Sequence, residues 1–279
     1  MKKQQININV ALFTNARNEK HIKEWAAHHL LIGFELIVIF DHKSIKPLNK
    51  EFKNFDKRVK IINASNFKNG IKIPLMNLAS SIANTYNIKW MIYLDCDEFL
   101  ILNNKYIGVK DFLNNYNYAH SIGINWLMFG SNNLIKDPNG LILDNYTKSD
   151  LLLNMHVKSF VRPSEIINAT NPHFYNIKNT LKMYGTNNKI LLGNKAFNEN
   201  PIPYYDAPAY IAHYCIQSEE TYINRKVIIP ADDTGNKRVF NINNIKSIHT
   251  QHNNNDNLQP KTKYSENIKK FLLKYNVSF

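Results

Sequence analysis

The apolar run Trp90-Met91-Ile92-Tyr93-Leu94 stops abruptly on Asp95-Cys96-Asp97-Glu98 and resumes as Phe99-Leu100-Ile101-Leu102. Few folds accept three acids at the tip of a continuous apolar segment. A short run of this kind reads as a strand buried on both faces of a parallel sheet, and open α/β sheets bind ligands at the carboxyl ends of their strands. Carboxylates gathered there are costly unless a cation or hydrogen-bond donors compensate them. Asp95 and Asp97, one residue apart, offer oxygen ligands to a hard divalent cation, Mn2+ or Mg2+, which keeps open positions for the oxygens of a diphosphate. D-x-D alone is a weak signal, and a solvated acidic turn is the competing reading.

The flanking sequence supports the sheet. Residues 6–14 read as a strand, and residues 18–33 carry Ile22, Trp25, Ala26, His29, Leu30 and Gly33 at the spacing of one helical face, with Gly33 as the stop. Residues 35–41 form a second buried strand ending on Asp41, and residues 58–63 a third. A second amphipathic helix over 75–86, with Pro74 at its start, leads into the acid-tipped strand. Strands separated by helices of this length imply right-handed crossovers and a mostly parallel sheet.

The second half is less regular. Residues 119–129 and 155–162 read as strands, Asn176 to Asn200 as loops, and Ser265 to Tyr275 as a terminal helix. The expectation is a single domain: 1–102 as a nucleotide-binding half, 103–240 as an acceptor-side half and 241–279 as a helical tail.

With 279 residues and 44% hydrophobic content the chain can bury a sizeable core. Cys96 and Cys215 have neither metal-ligand spacing nor the density of a disulfide scaffold, which suggests a reducing compartment. Neither a signal peptide nor a membrane span is visible, so the expected location is cytoplasmic, with peripheral membrane contact left open for the terminal helix. The sequons at Asn63, Asn145, Asn168 and Asn276 are read as unmodified. A formal charge of +13 suggests an acidic partner; equally, abundant Asn, Ile and Lys looks like the coding bias of an AT-rich genome.

The string from Ala16 to Ser44 resembles the opening of family 2-like and family 92-like glycosyltransferases: Arg17, Asn18, Glu19, Glu24, Trp25, His29, Gly33, Asp41 and Ser44 fill their pattern in order. Asp95, Asp97, Glu98 and Phe99 match the D-x-D-E-F step, and residues 213–226, HYCIQSEETYINRK, look like a further segment of the same families that opens on H-Y and carries a Ser, paired acids and a closing base. The resemblance implies a GT-A fold, a Rossmann-like mixed, mostly parallel sheet flanked by helices. It also implies transfer of a hexose from a nucleotide-sugar, a UDP-hexose by preference, to a glycan or glycoconjugate acceptor, with inversion.

On that resemblance Asp95 and Asp97 hold the metal that stabilises the leaving diphosphate, and His213 completes its site, a backbone-bonded structural histidine being the alternative. Asn15, Arg17 and Asp41 are expected at the nucleotide, although a strand-terminal Asp also serves as a cap and Arg17 could pair with a surface acid. No residue stands out as general base. Glu98 and His173 are the preferred candidates, with Glu165 and the Asp232–Asp233 pair behind them. His29 is expected in the core, Trp126 either in the core or stacked on a sugar. A basic loop carrying Lys178, Lys182, Lys189 and Lys195 could close over the diphosphate.

Two other classes remain: a nucleotide-sugar-binding module without catalysis, and a nucleic-acid-binding protein. The second is disfavoured because the best-organised site is acidic.

Overall fold

Alternate residues of one central strand are buried on opposite faces of the main sheet, which is why its sequence opens on a continuous apolar run, Val10 to Phe13, rather than alternating. In β1 (Val10–Ala16), Val10 and Leu12 join one core cluster while Ala11 and Phe13 join the other. The computed structural model describes residues 8–68, 70–239 and 241–279, so the start of the expected first strand, residues 6 and 7, lies outside the described residues.

β1 is followed by α1 (Ile22–Leu31), β2 (Leu36–Asp41), a one-turn α2 (Leu48–Glu51), β3 (Val59–Asn63), α3 (Lys72–Thr85) and β4 (Trp90–Tyr93). Then come β5 (Glu98–Leu102), α4 (Val109–Asn114), β6 (Ser121–Met128), α5 (Ile142–Asn145), β7 (Lys148–Ser149), β8 (Val157–Val161), β9 (Ile166–Asn171), β10 (Phe174–Ile177) and β11 (Met183–Gly185). The chain closes with β12 (Ala209–His213), α6 (Glu219–Tyr222), α7 (Ile242–His249), β13 (Asn255–Asp256) and α8 (Gln259–Lys274).

The main sheet runs β3-β2-β1-β4-β8-β6-β12-β5, with β11 paired to β6. Its β3-β2-β1-β4 half is wholly parallel, whereas β8 runs antiparallel to β4 and β6, and β5 antiparallel to β12. This is the expected mixed, mostly parallel α/β sheet flanked by helices. α1 and α8 cover one face and α3 the other.

Local chemistry explains the boundaries. Gly33, at φ +103°, takes the left-handed position that ends α1, with Phe34 N donating to His29 O at 3.1 Å. His29 is a core residue: Nδ1 meets Trp25 O at 2.8 Å and Nε2 accepts from Leu100 N at 3.3 Å. Pro74 lies inside the first turn of α3, which begins at Lys72, three residues before the expected helix start. α8 starts six residues before the expected helix and buries Ile268 and Leu272. Among the described residues no helix is long and apolar enough to cross a membrane.

Candidate active site

The acids that tip the apolar run form a tight turn between β4 and β5. Glu98 N donates to Asp95 O at 3.1 Å, and Asp95 N donates to Glu98 Oε2 at 2.8 Å. Glu98 therefore braces the turn from below. It is fully buried, does not line the adjoining cavity, and burial pushes its carboxyl up to about 8 despite the Lys158 ammonium 3.7 Å away. The catalytic part expected for Glu98 is replaced by this structural one: a buried side chain already bonded to its own turn does not reach a substrate.

A cavity of about 500 Å3 opens above the turn. Asp95 is clamped by two buried ammonium groups, Lys72 from α3 and Lys158 from β8, the latter at 3.0 Å. Asp97 is held by Arg225 at 3.3 Å and Lys226 at 3.1 Å, both from a π-helical turn at Ile223–Val227. Against the burial that would raise them, Lys158 and Lys72 keep Asp95, and Lys226 and Arg225 keep Asp97, well below the usual carboxylate range. Glu19 orients Arg225 through a two-pronged pair at 2.9 and 3.2 Å, which accounts for the glutamate in the R-N-E string.

Strand register delivers His213. The last residue of β12 pairs with Glu98 of β5 and with Met128 of β6, setting its Nε2 3.8 Å from Asp97 Oδ1. That oxygen is buried without a hydrogen-bond partner. Burial lowers His213 to about 4, so the imidazole is neutral with its lone pair available. One carboxylate oxygen and one neutral imidazole facing each other across this gap are ligand types that suit a Mn2+-type cation. Asp95 fits less well because each of its oxygens already accepts from an ammonium. Among the described residues no group of three or more His, Cys, Asp or Glu is arranged to hold a metal.

At the other end of the cavity Asn15 donates to Asp232 at 2.5 Å and accepts from Lys72 and Tyr93, each at 3.0 Å. Arg17 lines the cavity with its buried Nε unpartnered. Asp41 does not line it: its two oxygens accept from Ser44 N at 3.3 Å and Leu48 N at 2.8 Å, so it caps the chain after β2. Lys178, Lys182, Lys189 and Lys195 do not line it either; Lys178, for example, donates to Ser164 O at 2.6 Å.

His173 does line the cavity. Its Nδ1 sits 2.9 Å from Val157 O, which can only accept, so the proton is on Nδ1 and Nε2 carries the lone pair. Burial and the neighbouring Lys158 lower it to about 4.

Sequence reasoning missed the four cations that neutralise Asp95 and Asp97. Lys226 was visible as the lysine closing the 213–226 segment, and Lys158 as a lone charge inside an otherwise buried strand. Lys72 carried no such signal.

The glycosyltransferase family 92 model matches residues 10–202. No curated protein sequence matches the chain. Among solved structures, HddC from Yersinia pseudotuberculosis is similar at 9% identity over 64% of this chain and 90% of its own, with a TM-score of 0.37. A 4-diphosphocytidyl-2C-methyl-D-erythritol synthase from Anaerococcus prevotii gives 10%, 68%, 94% and 0.36, and a cytidylyltransferase from Leptospira borgpetersenii 11%, 89%, 98% and 0.34.

Proposed function

Since the chain belongs to glycosyltransferase family 92, we propose that it moves a hexose from a UDP-sugar to a saccharide hydroxyl with inversion at the anomeric carbon. The observation that carries this reading is the convergence of Lys72, Lys158, Arg225 and Lys226 on Asp95 and Asp97 above one strand-end turn. A diphosphate gains negative charge as the glycosidic C–O bond breaks, and preorganised cations aimed at that charge stabilise the transition state. Arg225 and Lys226, on the cavity wall, face the leaving oxygens, while Arg17 and Asn15 serve the nucleotide end.

A divalent cation, when bound, would be held by Asp97 and His213 and would supply Lewis-acid neutralisation of the diphosphate. On the acceptor side His173 is the base. As the acceptor oxygen bonds to the anomeric carbon, its proton passes to His173 Nε2, while the other ring proton stays on Nδ1, donated to Val157 O. Val157 thereby fixes the ring in the tautomer that transfer needs.

The test is incubation of the full chain with UDP-glucose or UDP-galactose, Mn2+ and a panel of methyl pyranosides. Mass spectrometry should show one added hexose, and NMR should show the opposite anomeric configuration from the donor. Retained configuration would remove the inverting mechanism; no transfer and no donor hydrolysis from any donor tried would remove the enzymatic reading.

A further inference from the structure

Beside the transfer point lies a cluster that the mechanism above uses only in part. Trp126 of β6 is ringed by three imidazoles: His156 nearly parallel to it at 5.1 Å and 18°, His173 at 5.1 Å and His213 at 4.3 Å. The strand positions hold the group rigid, for Trp126 N donates to His156 O at 2.9 Å and Asn154 N to Trp126 O at 2.8 Å. Phe197 packs edge-on against the far side of His156 at 4.8 Å.

The polar atoms of this cluster are unspent. Trp126 Nε1 is buried with no hydrogen-bond partner, an indole donor awaiting an acceptor. His156 Nδ1 lies 2.8 Å from Asn154 Oδ1, an oxygen that already accepts from His156 N, so the proton sits on Nδ1 and Nε2 is left as an acceptor. His173 has the same arrangement against Val157 O. Burial holds both rings neutral. The result is one N–H donor and two lone pairs among aromatic edges, with no carboxylate in the group.

We propose that Trp126, His156 and His173 form the acceptor subsite and that its ligand is a neutral pyranose ring. A pyranose alternates hydroxyls, which donate to the imidazole lone pairs and accept from the indole N–H, with C–H faces that pack on aromatic rings. An acidic peptide or a phosphorylated headgroup would find no cation within this cluster other than Lys158, which is engaged with Asp95 and with Pro172 O at 3.2 Å. The assignment rests on the glycosyltransferase reading for its role as acceptor site, not for its chemistry.

The experiment is saturation-transfer NMR of the full chain with methyl β-glucopyranoside, methyl β-galactopyranoside, methyl α-mannopyranoside and N-acetylglucosamine, with sorbitol as an open-chain control and UDP titrated into the same samples. His156→Phe keeps the stack on Trp126 and Phe197 while deleting the lone pair; Trp126→Phe deletes the N–H. At least one pyranoside should receive saturation mainly on the C–H protons of one ring face, and each variant should weaken it about three- to tenfold, the effect of one lost hydrogen bond. UDP binding should be unchanged in His156→Phe. No transfer to any pyranoside, transfer equal to that of sorbitol, or transfer unaltered in both variants would overturn the proposal. So would a pyranoside displaced by intact UDP-hexose but not by UDP, since that places the donor's own sugar here. UDP binding without pyranoside binding fails this subsite alone; pyranoside binding without UDP binding fails the donor reading alone.

Discussion

Asp95 and Glu98, three residues apart in one turn, respond to their surroundings in opposite directions. Asp95 is ionised between two ammonium groups; Glu98, beneath it, keeps its proton. The folded chain therefore holds at Glu98 a proton that the unfolded chain gives up above about pH 4.5, so this residue's contribution to stability declines as pH rises toward 8. Glu98→Gln removes the titration and should gain roughly 2–4 kcal/mol on the wild type between pH 5 and pH 8 in urea unfolding; parallel pH profiles for the two proteins would refute the assignment. Removing Asp95 instead strands Lys72 and Lys158, whose side chains are 5% and 2% exposed. Asp95→Leu should cost about 3–5 kcal/mol, and adding Lys158→Met should restore part of that loss. Additive losses in the double-mutant cycle would mean that the two do not interact. Sequence could locate the acids because they interrupt an apolar run, but it could not say which one stays protonated, because that depends on lysines 23 or more positions away.

At the scale of elements, local pattern carried the parallel half well. β2, β3, β4, α1 and α3 fall within a few residues of their expected bounds because both faces of the sheet are covered there and the apolar spacing is unambiguous. The second half was poorly legible for a physical reason: β5 pairs with β12 across more than a hundred residues, and β9, β10 and β11 are short strands defined by partners rather than by periodicity. α8 spends its apolar face inside, with Ile268 0% and Leu272 1% exposed, so Ile268→Ala should lower stability by about 2–4 kcal/mol in thermal or urea unfolding. A change below about 0.5 kcal/mol would mean that the helix is only loosely docked. The segment Ile229–Arg238 spans the Asn15 end of the cavity, tied down where Asp232 accepts from Asn15 Nδ2 and, through its backbone oxygen, from Lys72 N at 2.9 Å. A carboxylate there opposes an incoming anion, so Asp232→Asn should tighten UDP binding several-fold by calorimetry; weaker binding would show that the acid belongs to the nucleotide site.

Across the whole molecule the charge is divided. The cavity sets Arg17, Lys72, Lys158, Arg225, Lys226 and Arg238 against Glu19, Asp95, Asp97, Asp232 and Asp233, close to balance, so nearly all of the +13 lies on other surfaces. The bulk charge that first suggested an acidic partner therefore says little about the site. What the site presents is a near-neutral array in which Asp95 and Asp97 already have cationic partners, which an incoming diphosphate would have to take over. The central claim is that Asp97, His213, Arg225 and Lys226 form one diphosphate- and metal-binding unit. Isothermal titration of UDP into the full chain, with and without Mn2+, compared with Asp97→Ala and Arg225→Ala, tests it most directly. The account predicts binding that Mn2+ strengthens in the wild type, a loss of at least about tenfold with Arg225→Ala, and loss of the Mn2+ effect with Asp97→Ala. UDP binding indifferent to the metal and to both substitutions, or no UDP binding at all, would contradict it.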